Sequence, residues 1–202
     1  MATKEQTTED SKVSKEKTTR TSKGFEYTYL REDWGAGRLP KEVRDLDPEL
    51  SSGVTTAYLH HLDVDTINSR SLSKDDVHKE LNRLRDYATS VSAFYDIPFN
   101  AAITQTGDTY QLRGLDKRSA ANYTKAGNDT GISYLLILGR DEKPSPKMLK
   151  ALQGLLEQQK KAYPNSNKVL AHRRAPGSTS RSRNEAIDLK LQNGSISFPQ
   201  ED

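Results

Sequence analysis

The run ISYLLILG, from Ile132 to Gly139, is the most apolar stretch of the chain. It is far shorter than the ~20 residues needed to cross a membrane. A run of this length and composition, bounded by polar loops, fits a strand covered on both faces, as in the centre of an α/β sheet. A second run, VTTAYLHHLDV from Val54 to Val64, is β-rich and mostly uncharged and reads the same way. Between them lies a segment of a different period. Ser73 is a predicted N-cap followed by Asp75 and Asp76, acids that suit the positive end of a helix. Val77, Leu81, Leu84, Ala88 and Val91 then recur at helical spacing, which predicts an amphipathic helix of about four turns.

The rest of the chain repeats this alternation. FNAAIT (Phe99 to Thr104) and TYQLRG (Thr109 to Gly114) flank a tight turn with Gly107 and predict a β-hairpin. Pro144 and Pro146 open a second helix, whose Met148, Leu149, Leu152, Leu155 and Leu156 share one face; Pro164 ends it. KVLAH is a short strand, and a basic loop with Arg173, Arg174, Arg181 and Arg183 follows. Counting FEYTYL (Phe25 to Leu30) as a first strand, the order is β–β–α–β–β–β–α–β. The expected fold class is α/β, a mixed central β-sheet flanked by helices.

Composition sets the limits of that body. The chain has 202 residues, 33% of them hydrophobic, and a mean hydropathy of −0.86. Residues 1–23 contain only Met1, Ala2 and Val13 as apolar side chains, too few to offset the entropy of ordering, so a disordered polar tail is expected there. The expected division is a tail over 1–23, one domain over 24–192 and a loose tail over 193–202. The charged, Thr-rich start has no apolar core of a secretory signal, and membrane insertion is not expected. No cysteine is present, which excludes disulfides, thiol nucleophiles and cysteine-based metal sites. A net charge of +3 describes a mixed-charge surface with a mild preference for anions.

The histidines narrow the chemistry. His60 and His61 sit near the end of one apolar run and His172 ends another. Period-two alternation sends His60 and His61 to opposite faces of their strand, so one of the pair is expected to face a cleft; His60 is the expected one. His78 follows Val77 on the first helix and is expected on its solvent side.

Several segments now match one family in order. REDWGA (Arg31 to Ala36) resembles an R-x-x-W-G-A opening, and AYLHHLD resembles a first strand ending in a His-His pair. DIPFNAAITQTGDTYQLRGLD, NDTGISYLLILG and LAHRR resemble three further segments, the last a G-H-R-D strand end. By these motifs the chain resembles the N-acetylmuramoyl-L-alanine amidase type 2 and peptidoglycan recognition protein family, in the style of phage endolysins, over roughly 31–181. The resemblance implies a zinc-activated water that cleaves the amide between N-acetylmuramic acid and L-alanine. It implies metal ligands at His60 and His172, substrate contacts at Asn100, Asn122 and Arg173, and bacterial peptidoglycan as partner. Nucleic acid is not the expected partner. A phage-encoded protein of this type would be made in the host cytoplasm and act at the wall or in the virion.

The departures fall on the cleft. The family's third ligand, Cys or Asp, lies in the window that here holds Ser180, Arg181 and Ser182, with Asp188 and Asp65 as the candidate carboxylate replacements. Phe99 stands where the family has a helper Tyr, and Phe cannot donate to a developing oxyanion. Ala120-Ala121-Asn122 replaces G-A-H, and Leu115 replaces a Trp. These losses leave two readings open: a divergent amidase, or an amidase fold that binds peptidoglycan or serves in a phage particle without hydrolysis.

Overall fold

A computed structural model describes residues 19–46, 53–65 and 67–200. Residues 1–18 of the tail expected over 1–23 lie outside the described residues. The main sheet has five strands: β3 (Thr56–His61), β4 (Ala101–Ile103), β5 (Thr109–Gln111), β6 (Gly131–Leu136) and β7 (Lys168–Ala171). Their order is β5-β4-β6-β3-β7. The β4–β6, β6–β3 and β3–β7 pairs are parallel, and the β4–β5 hairpin is antiparallel. Both apolar runs occupy interior positions, and all six residues of β6 are buried. The sheet is mixed and helix-flanked, as the pattern predicts.

Parity along the strands assigns the two faces. Ala57, Leu59, Ile132, Tyr134 and Leu136 pack against α3 (Pro146–Ala162) through Met148, Leu152, Leu155 and Leu156. Leu135 and Ile137 face α1 (Lys74–Ser90) through Val77 and Leu81, together with Trp34. Helix α1 begins as expected: Ser73 Oγ accepts from the Asp76 amide at 3.2 Å, and the Asp76 carboxylate accepts from the Ser73 amide at 3.1 Å. Ser145 caps α3 ahead of Pro146, its Oγ accepting from the Met148 amide at 3.0 Å. Val91 departs from the helical stripe; it caps the end of α1 and is exposed.

Gly107 in the β4–β5 turn has a φ of +77°, and a Cβ there would stand 2.8 Å from the Lys147 carbonyl oxygen. Both the handedness and the close approach of α3 require glycine.

The termini differ from expectation. Residues 20–22, assigned by composition to the tail, form β1 (Arg20–Ser22), which pairs antiparallel with β2 (Phe25–Tyr27) in a ribbon apart from the main sheet. Arg20 also pairs with Glu32 and Asp33. The C-terminal segment, expected to be loose from 193, buries Ile196 and Phe198 in the α3-side core. Two apolar residues spaced by two were outweighed in the sequence by their polar neighbours. A short helix α2 (Lys125–Thr130) and a helix α4 (Glu185–Gln192), capped by Thr124 and Asn184, are not among the elements expected from the sequence.

The REDW segment forms a 3-10 turn that locks the N-terminal segment onto the sheet. Arg31 donates to the carbonyls of Gly37 (3.0 Å) and Leu112 (2.5 Å) and to the carboxylate of buried Asp96 (2.8 Å). Trp34 is buried and its indole N–H donates to the Gln111 carbonyl at 2.9 Å. We expect Trp34→Ala to cost ~3–5 kcal/mol, read as a drop in the denaturation midpoint; an unchanged midpoint would show that this segment does not hold the sheet.

Candidate functional site

The site lies at the carboxyl ends of the central parallel strands, where α/β folds place ligands. Leu59 on β3 pairs with Ala171 on β7. The next residue on each strand is a histidine, so the register brings His60 and His172 side by side. Their rings stack with centroids 4.9 Å apart. The His61 ring also approaches His172, edge-on at 5.5 Å. Its Nδ1 lies 2.9 Å from the Leu62 carbonyl.

Asn122 fixes the state of His60. The Asn122 amide nitrogen donates to the carbonyls of Gly127 (3.1 Å) and Gly131 (3.3 Å), and Ser133 Oγ donates to its oxygen at 2.7 Å. That oxygen is therefore the atom facing His60 Nε2 at 3.2 Å, so Nε2 carries the proton. Burial, with His172 alongside, pushes His60 down to about 3. Burial and nearby His61 push His172 down to about 4. Both rings are neutral at pH 7.

His60 opens onto a cleft of about 990 Å³. Phe94, Tyr95, Phe99 and Tyr123 give it apolar walls, and Arg44, Arg113, Arg118 and Lys125 line it with Glu42, Asp45 and Asp129, Asp129 being paired with both Arg118 and Lys125. Phe99 packs edge-on to His60 at 5.0 Å. Tyr123 lies over His172 at 6.5 Å, is 45% exposed, and holds a φ of +64°. A non-glycine residue in that conformation is strained, and such strain concentrates at ligand sites. Its loop position among Asn, Lys and Gly residues gave no signal beyond polarity, so sequence reasoning missed it, along with Phe94, Tyr95 and Arg118.

The residues expected to touch substrate separate into three groups. Asn100 is fully buried; its amide donates to the carbonyls of Gly114 and Lys117 and its oxygen accepts from the Ser133 amide. It joins β4 to β6 and does not line the cleft. Asn122 is also fully buried and positions His60. Arg173 lies outside the cleft and pairs with Asp188 at 2.6 Å. His78, expected on the solvent side, is half-buried between the rings of Tyr29 (5.9 Å) and Tyr110 (5.7 Å).

A catalytic zinc needs three protein donors. The stacked pair supplies two neutral imidazoles. Beyond them stands Ser180, whose Oγ is 3.1 Å from His172 Nε2. A neutral hydroxyl is a poor donor beside the thiolate or carboxylate that zinc favours. Asp188 is held by Arg173, and Asp65 is an exposed partner of Arg140 at 3.1 Å. Among the described residues no three His, Cys, Asp or Glu side chains gather where one metal ion could bind. The donor set does not fit a catalytic zinc.

No protein-family model matches the sequence, and no curated protein matches it. Solved structures do. Wild-type Drosophila PGRP-LB aligns with a TM-score of 0.67 and 25% identity, over 86% of this chain and 98% of that one. A tyrosine-to-phenylalanine mutant of the same protein, in complex with tracheal cytotoxin, gives 0.61 and 26% over 79% and 91%. PGRP-LE in complex with tracheal cytotoxin, a monomeric diaminopimelic acid-type peptidoglycan, gives 0.63 and 18% over 80% and 92%. With the motifs in order and the histidines side by side, the chain has the fold of the peptidoglycan recognition proteins and is similar to them over nearly their whole length.

Proposed function

We propose that this chain binds peptidoglycan fragments in the His60 cleft and does not hydrolyse them. The observation that carries this reading is the third donor position. Ser180 bonds to His172 there, and the candidate carboxylates Asp65 and Asp188, like Asp63 beside His172, are each engaged by an arginine. Phe99 removes the second polar group that hydrolysis would use, because its ring can neither donate to an oxyanion nor take up a proton. The cleft itself is intact and suits a glycopeptide. Aromatic faces at Tyr95 and Tyr123 stack on sugar rings, and the paired charges along the walls match the carboxylates and amines of a stem peptide. The complexes of PGRP-LE and of the PGRP-LB mutant with tracheal cytotoxin support the same use of the fold.

Titration calorimetry with a soluble muramyl peptide should give saturable 1:1 binding. Tyr123→Ala should weaken it about tenfold, roughly the 1–2 kcal/mol of a stacked aromatic contact, while the thermal midpoint stays nearly unchanged, because the ring is half exposed and alanine carries the same strain at a φ of +64°. No binding by the wild-type chain would overturn the proposal.

A further inference from the structure

Beside the cleft, the loop after β7 and the first turns of α4 enclose a second concavity of about 610 Å³. Arg173, Arg174, Arg181 and Arg183 line it, against Glu185 and Asp188. Four guanidiniums minus two carboxylates leave a charge of +2 in this small volume. Both carboxylates are engaged: Asp188 by Arg173, and Glu185 by Arg183. Arg174 and Arg181 make no hydrogen bond or ion pair among the described residues, and both are exposed at the mouth. Two arginines of the same loop, left without partners over one concavity, are a surplus that the fold does not use.

We propose that this concavity binds phosphate, with Arg174 and Arg181 as the direct ligands, and that the phosphate belongs to a phosphodiester-linked polymer carried on the wall glycan. The local +2 calls for two negative charges held close together, and two successive phosphodiesters of one polymer supply one to each of Arg174 and Arg181. Guanidinium forks also fit tetrahedral phosphate oxygens in bidentate fashion. Position favours a substituent of the wall glycan. Ser180 lines this concavity and bonds to His172, which stacks on His60, a wall of the cleft. The two concavities therefore lie on either side of the histidine pair, close enough for a glycan held in one to present an anionic substituent to the other. A nucleic acid fits less well. Its electrostatic footprint is an extended basic stripe, whereas the cleft sets Arg44, Arg113, Arg118 and Lys125 among Glu42, Asp45 and Asp129, and the chain's net charge is only +3.

The polymer assignment rests on the proposed peptidoglycan reading, and the test separates the two. Full-length chain is titrated at physiological salt with a glycerol phosphate oligomer, with an acidic peptide of equal charge, with duplex DNA, and with a phosphate-free muramyl peptide. The wild type should bind the glycerol phosphate oligomer at least tenfold more tightly than the acidic peptide or DNA. Arg174→Gln/Arg181→Gln, two exposed changes, should lose that preference and keep its muramyl peptide affinity. Equal affinity for the acidic peptide, tighter binding of DNA, or an unaffected double variant would each overturn the phosphate site. Failure of the muramyl peptide alone, with the phosphate preference and its loss in the variant retained, would overturn the cleft reading and the wall-polymer assignment but leave a phosphate site.

Discussion

Ser180→Cys should turn a chain that holds almost no zinc into one that holds about one equivalent, because three donors are the usual minimum for a protein zinc site. His60 and His172 are already stacked at 4.9 Å and are neutral at pH 7, so no proton need leave either ring first. Ser180 Oγ already reaches His172 Nε2 at 3.1 Å, so the new sulfur enters the same space. Metal content after dialysis against micromolar zinc measures the change, and a zinc-dependent rise in thermal midpoint should accompany it. Ser180→Ala is the control and should stay metal-free. If wild type and Ser180→Cys both held a full equivalent, the two-donor description of the site would be wrong; if neither did, the serine would not occupy the third position.

Acid should destabilise this protein earlier than carboxylate titration alone would. The folded pKa values of His60 and His172, about 3 and about 4, lie below the ordinary 6.5. The unfolded chain therefore binds protons first, and the stability held by the neutral pair is complete above pH 6.5 and is lost as pH falls toward 4. A pKa lower by one in the folded state than in the unfolded is worth about 1.4 kcal/mol, so the pair accounts for a loss on the order of several kcal/mol. His78, also pushed down by burial, adds a smaller part with the same sign. Asp63 and Asp129 are held low by their hydrogen-bond partners and contribute only at more acidic pH. Chemical denaturation at pH 7 and pH 4.5 should show this loss, and His60→Gln/His172→Gln should flatten it. A flat wild-type profile over that window would contradict the burial of the pair as neutral rings.

The sheet and its histidine pair were legible because their signals are local. Continuous apolar runs identify β3 and β6, Ser73 and the Pro144 and Pro146 pair mark where helices begin, and His60 and His172 stand at the ends of apolar runs. Their meeting depends on the parallel β3–β7 register, which the family resemblance implies and the strand pattern alone does not. Partner choice was not legible. Nothing in the order of residues says that Asn100 and Asn122 are sealed inside the sheet, that Asp188 belongs to Arg173, or that Asp65 belongs to Arg140. The same holds for Ile196 and Phe198, whose burial depends on a core surface built by residues far away in sequence. Tyr123 shows the limit most clearly, since its place in the cleft comes from a left-handed backbone turn in a polar loop.

A retained cleft without hydrolysis is tested in one spectrum by native mass spectrometry of the chain mixed with a diaminopimelic acid-type muramyl peptide and equimolar zinc. The expected species is a 1:1 complex carrying the intact ligand and no zinc, unchanged after prolonged incubation. Zinc-bound protein together with free stem peptide and free muramic acid would contradict it.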